Sequence, residues 1–245
     1  MTFSLGKCTK RIKMIKVSIF VEGQTERIFI ERLLREYLTS TKLKTISYRL
    51  IGDSITKILE TGNSFDPEFY ILIFDVGCGE RVVSAMIERA ESMISVQGYR
   101  FLFALRDLYP VSIANKDKFI EDIKKLFSKF NFADRLKLIL SIKEIEAWFL
   151  GDYSLFSRID SSLTACCIQN RLGYDLINDN PEDYDSPSGI IDKILQLIGQ
   201  RYKKKEKDTY KVVHRIDYNF LCLDATNKIK SLSYFLECVN GSISN

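Results

Sequence analysis

The sequence predicts an α/β protein: a mainly parallel sheet of four to five strands flanked by helices, followed by a mostly helical C-terminal part. Three observations lead there. Several short runs are apolar throughout instead of alternating, as strands buried on both faces require. Segments with helical apolar spacing separate those runs. Beyond residue 150 strand-like runs give way to helical patterns and loops.

Taken in order, MIKVSIFV (14–21) is the first buried strand. QTERIFIERLLREYL (24–38) places Ile28, Phe29, Leu33, Leu34 and Leu38 at roughly helical spacing. TISYRLI (45–51) is of mixed polarity, which suits an edge strand. SITKILETG reads as a short helix capped by Asp53 or Ser54 and stopped by Gly62 and Asn63. EFYILIFDVG (68–77) is a strong strand, and ERVVSAMIERAESMISVQG (80–98) a helix ended by Gly98. RFLFALRD (100–107) and LKLILSI (136–142) are buried strands on either side of the amphipathic helix KDKFIEDIKKLFSKF (116–130). KEIEAWFLGD then starts another helix, and SPSGIIDKILQLIGQRY (186–202) and ATNKIKSLSYFLECV (225–239) are two more. This divides the chain into an α/β domain over 14–150 and a helical extension over 151–240.

Of the 245 residues, 46% are hydrophobic and 28% charged, enough for one sizeable core. That balance excludes a disordered chain, and no apolar window approaches the ~18 residues of a spanning helix, so no membrane partner is expected. The opening MTFSLGKCTKRIK lacks the apolar stretch of a secretory signal and reads as a basic leader. Cys8, Cys78, Cys166, Cys167, Cys222 and Cys238 form no CxxC pair, and His214 is the single histidine. A Cys/His zinc site is therefore not expected. Scattered cysteines fit a reducing cytoplasm, most of them as small core residues. Net charge is +4, concentrated in RYKKKEKDTYKVVHR (201–215), where seven Lys/Arg face two acids. Such a block is either a solvated face or the footprint of a polyanion. The acidic, turn-rich DLINDNPEDYD (175–185) precedes it.

In open parallel sheets ligands bind outside the carboxyl ends of the strands. The first strand ends in Glu22-Gly23, with Glu26 one turn into the next helix. The later strands end in Asp75, in Asp107, and just before Glu144 and Glu146. Any one of these could be a helix cap. Four strand ends that deliver carboxylates to one rim call for a neutralising cation. Hard oxygen ligands without histidine or thiolate select Mg²⁺ or Mn²⁺. Gly23 allows a tight strand-to-helix turn. Neither GxxxxGK[ST] nor GxGxxG occurs, and DVGCGERV (75–82) reads as a helix-entry turn that could lend N–H groups to a phosphate.

A strand closing on VEGQTE, a later strand closing on an Asp-x-acid remnant and the late EIEAWFLGD resemble the Toprim fold. The likeness is to OLD-type Toprim nucleases and small stand-alone Toprim-like proteins of bacterial defence loci, over about the first 150 residues. It implies Glu22, Glu26, Asp107 and Glu146 as catalytic metal ligands, with Glu144 the other choice for the last. Asp75 is a further ligand that could compensate for a departure. The family's DxD falls on Asp107-Leu108-Tyr109, and Tyr109 is no carboxylate. The resemblance further implies an endonuclease of DNA or RNA, tRNA included, acting in anti-phage defence with a separate ABC-type ATPase. A homo-oligomer is also compatible with it. Nucleic-acid contacts fall on Arg106, Lys203, Lys204, Lys205, Lys211 and His214. Trp148 is read as core. The competing reading is a catalytically degenerate interaction or regulatory subunit, which Tyr109 favours; a primase or topoisomerase fragment would need further domains.

Overall fold

The computed structural model describes residues 14–38, 42–52, 54–62 and 66–243. The basic leader, Cys8, Asp53 and Asn63 lie outside them. Six strands form one sheet: β1 (Ile15–Val21), β2 (Leu43–Ile51), β3 (Ser54–Thr61), β4 (Phe69–Asp75), β5 (Phe101–Asp107) and β6 (Leu136–Ser141), in the order β3-β2-β4-β1-β5-β6. All pairings are parallel except β2 with β3. The α-helices are α1 (Gln24–Tyr37), α2 (Val82–Glu91), α3 (Lys116–Phe127), α4 (Glu146–Leu150) and α5 (Leu155–Ile159). After them come α6 (Ala165–Leu172), α7 (Pro187–Gln196), α8 (Glu206–Val213), α9 (Tyr218–Leu223) and α10 (Lys230–Ile243).

Strand alternation sorts the core into two layers. Ile19 and Val21 face one way, into a cluster that continues through Phe29 of α1, Trp148 of α4, Ile191 of α7, Val212 of α8 and Phe235 of α10. Phe20 faces the other way, onto Phe74, Met86 of α2 and Phe127 of α3. One apolar layer thus joins β1 and α1 to the C-terminal helices. Trp148 is its hinge point. It has no exposed surface, lies 6.0 Å from the Phe29 ring and 5.7 Å from Phe235, and donates Nε1–H to Ser231 Oγ at 2.7 Å.

Three expectations are corrected. Residues 54–61 are not a helix but β3, antiparallel to β2. The hairpin closes between Ile51 and Ser54, where Gly52 takes φ +57°, a left-handed conformation open to glycine, and Gly-Asp is a two-residue turn signal. Consequently β2 is interior, between β3 and β4, and the mostly exposed β3 takes the edge. None of the five described cysteines is fully buried, although Cys222 and Cys238 pack against the edge of the core. Cys78 and Cys166 are exposed and Cys167, Cys222 and Cys238 are half-buried, all five free thiols. Elsewhere boundaries move: α7 ends at Gln196, before Gly199 at φ +70°, and α10 begins only at Lys230.

Candidate functional site

The carboxyl ends of β1, β5 and β6 meet at one rim, because β1 pairs with β5 and β5 with β6 in parallel register. Glu22 follows β1 directly. Its Oε2 lies 3.4 Å from the backbone N of Asp107, the last residue of β5. Gly79, in the turn before α2, closes the other side; a Cβ there would come within 2.4 Å of Glu22 Oε2. Glu26 reaches back from the first turn of α1 and accepts the Gly23 N–H at 2.9 Å. This fixes its carboxylate at the helix start, the N3 half of a capping box, since Gly23 has no side chain to return the bond. Asp107 Oδ1 accepts the Ile145 N–H at 2.9 Å and the Ser141 hydroxyl.

Glu146 opens α4 and has no exposed surface. It accepts the Tyr202 hydroxyl at 3.0 Å through Oε1, and Lys204 Nζ lies 3.1 Å from Oε2. The lysine is an ion-pair neighbour there, since Oε2 has no aligned hydrogen-bond donor. The same ammonium reaches Glu144 Oε1 at 2.9 Å, and Glu144 also binds the Ser188 N–H (2.8 Å) and hydroxyl (2.9 Å) at the start of α7. Lys204 sits at φ +54°, uncommon for a lysine, and Gln24 Nε2 holds its carbonyl at 2.7 Å. That left-handed turn is what points the middle lysine of the KKK run inward.

The electrostatics follow from the burial. Burial pushes the Asp107 carboxyl up to about 7, with the charge of Glu146 adding to it and the Ser141 hydrogen bond opposing. Burial likewise raises Glu26 well above the ordinary range, helped by Asp107 and Glu146. Glu146 is raised by burial, with Lys204 acting against it. For Glu144 burial is outweighed by Ser188 and Lys204, so it ends lowered. For Lys204 burial is outweighed by Glu146 and Glu144, and its ammonium is held well above the usual lysine range.

The remaining predicted residues are engaged in other contacts. Both Asp75 oxygens are engaged, Oδ2 by Arg49 Nη2 at 3.1 Å and Oδ1 by the Gly77 N–H at 3.1 Å. Arg106 is buried; its Nε donates to the Asp107 carbonyl at 3.1 Å and its guanidinium lies 5.2 Å from the Phe119 ring. Lys203 approaches Asp192 at 3.4 Å, while Lys205 is exposed at the start of α8. Lys211 and His214 line an open depression of about 680 Å³ with Arg201, Lys207 and Arg215. Lys211 hydrogen-bonds Gln200, and His214 is lowered by burial and then by Arg32 and Arg35. Tyr109 is 74% exposed. Ser141, Ser188, Tyr202 and Gly79 were not anticipated, and only Gly79 had a sequence signal, as the second glycine of DVGCGERV.

Among the described residues no group of three or more His, Cys, Asp or Glu side chains is arranged to hold a metal ion. The donor set nevertheless suits a hard divalent cation: all carboxylate oxygen, crowded enough to raise its own proton affinity, with Glu146 Oε2 buried and lacking a hydrogen bond.

Fold and rim together define an α/β protein with a buried carboxylate cluster at the ends of parallel strands. The chain belongs to the family described as Domain of unknown function (DUF4276), which it matches over residues 21–227. Among solved structures it is similar to the C-terminal region of the Burkholderia pseudomallei OLD protein. The identity is 14% and the TM-score 0.41, over 92% of this chain and 99% of that one, a likeness too distant to carry an argument about activity. No curated protein matches the chain in sequence. No helix among the described residues is long and apolar enough to cross a membrane.

Proposed function

We propose that the chain is a Toprim-type, metal-dependent endonuclease of DNA or RNA, an effector of anti-phage defence that works with a separate ATPase. The observation that supports it best is the meeting of Glu22 with Asp107 across β1 and β5, with Glu146 close enough to add to the burial that raises Asp107, and Asp107 and Glu146 close enough to add to the burial that raises Glu26. Mg²⁺ or Mn²⁺ would be held by Glu22 and Glu26 on one side and Asp107 and Glu146 on the other. Bound there, such ions supply an activated water and charge stabilisation at the leaving oxygen. The chain's own residues prepare the site. Ser141 and the Ile145 N–H aim Asp107, the Gly23 N–H aims Glu26, and Gly79 leaves room for Glu22. Lys207, Lys211 and Arg215 around the open depression offer the positive charge a phosphate backbone needs. His214, lowered in pKa, adds little charge at neutral pH.

The test incubates purified protein with plasmid, single-stranded DNA and tRNA, with Mg²⁺ or Mn²⁺ and then with EDTA. Cuts that need the metal and vanish in Glu22→Gln support the proposal; cuts that persist in Glu22→Gln refute the site. A second reading, a catalytically degenerate interaction subunit, is favoured by Tyr109 at the DxD position and by the Lys204 ammonium among the acids. It requires that neither metal produce cleavage nor raise the melting temperature, with the ATPase partner present as well as absent.

A further inference from the structure

The sheet ends on β6, which is hydrogen-bonded on its β5 side only. Helices α3 and α10 both pack against β6, and the trough along this edge, lined by both, has a volume of about 560 Å³. Its floor is apolar, including Ile120 of α3, Leu138 and Leu140 of β6, and Ile142, with the 45% exposed Tyr234 ring from α10. Four lysines stand around it: Lys116, Lys124, Lys137 and Lys230. Glu182 is the one acid in the lining, and its carboxylate is spent on the Lys230 N–H (3.1 Å) and the Ser231 N–H (3.3 Å). Lys137 lies 5.8 Å from the Phe101 ring. The ammonium groups of Lys116, Lys124 and Lys230 form no ion pair among the described residues.

Lysines on a strand edge can serve only to repel other strands. That role needs no recess. Here the positive rim surrounds an apolar cavity of the size that ligand sites have, beside a row of backbone groups that lacks a partner strand. We propose that this trough docks an extended acidic segment of a partner protein, which adds to the β6 edge as a further strand. Its alternate apolar side chains would fill the trough, and its Asp and Glu residues would meet Lys116, Lys124 and Lys230. A nucleic acid fits less well, because the floor is apolar with one exposed ring and gives bases little to stack on. Pairing of two β6 edges is opposed by charge, since β6 contributes Lys137 and no acid.

Panning a phage-displayed library of random dodecapeptides against the intact chain tests this. The proposal expects selected peptides in which Asp or Glu alternates with apolar residues. Their fluorescence-anisotropy affinity should fall by at least about tenfold in Lys124→Glu/Lys230→Glu, and likewise in about 0.5 M salt, where the screening length shrinks to about 4 Å. Both lysines are exposed, so the variant should melt as the parent does. Peptide binding should also slow amide exchange across 136–141. A pool without acidic bias, affinities indifferent to the charge reversal, or no protection of β6 would overturn it. So would protection of β6 by an oligothymidylate or by self-association of the chain in place of the peptide.

Discussion

Stability should fall as the pH rises from about 5 to 8, and Asp107 should be a main cause. Its folded carboxyl stands at about 7 against an ordinary 3.8, raised by burial and by Glu146. A carboxyl raised on folding keeps its proton in the native state where the unfolded chain has released it. Its stabilising effect is complete below the unfolded value and lost as the pH passes the folded one. Each pH unit inside that window costs up to about 1.4 kcal/mol per proton. Between pH 5 and 7 Asp107 alone therefore accounts for roughly 2 to 3 kcal/mol, which for a domain of this size lowers the melting temperature by about 4–12 °C. Scanning calorimetry of the parent and Asp107→Asn across this range isolates the effect. The asparagine keeps an acceptor for Ser141 and Ile145 but cannot ionise, so the two curves should lie close near pH 5 and separate toward pH 8, the variant staying the more stable. A divalent cation at about a hundred times its dissociation constant should return about 2.7 kcal/mol to the parent at pH 8 and much less to the variant. Parallel pH profiles for the two proteins would refute the reasoning, because Asp107 would then be no more protonated when folded than when unfolded.

Further outcomes are expected from single substitutions. Lys204→Met leaves the buried Glu146 without its cation. Breaking a fully buried pair costs about 3–5 kcal/mol, but Lys204 is 38% exposed and Glu146 can take up a proton, so about 2 kcal/mol at pH 8 is expected, with less at pH 5. An unchanged melting curve at pH 8 would show that Lys204 does not serve as the counterion. Gly79→Ala drives a methyl into the Glu22 carboxylate, a flexible group that can retreat. Stability should change by less than about 1 kcal/mol while Mn²⁺ binding by calorimetry weakens, and a variant that binds Mn²⁺ as tightly as the parent would remove Glu22 from the site. Trp148→Ala should cost about 3–5 kcal/mol, and secondary-structure and aromatic circular dichroism should fall together. If α10 melted apart from the sheet, Trp148 would not tie the two.

What was legible in the sequence and what was not divides along a physical line. β1, β4, β5 and β6 are legible because a strand buried on both faces must be apolar throughout, and few other elements of that length are. β3 is not, because nearly all of it is exposed, so no burial constrained its pattern; the only sign was the Gly52 turn. The acids behave in the same way. Glu22, Glu26 and Asp107 could be placed at one rim because strand ends in a parallel sheet share an edge whatever the loops do. Asp75 sits at that edge too, yet Arg49 of β2 claims it, and a cross-strand ion pair depends on register, which strand-by-strand reading does not provide. Lys204 is grouped by the sequence with Lys203 and Lys205 as a nucleic-acid contact, because neighbours in a KKK run look alike. Its inward turn rests on one left-handed backbone angle and on Gln24, 180 residues earlier in the chain. The carboxylates come from the strand ends, which each strand's own sequence marks. Their counter-charge comes from a return of the distant chain, a contact that no local pattern foretells.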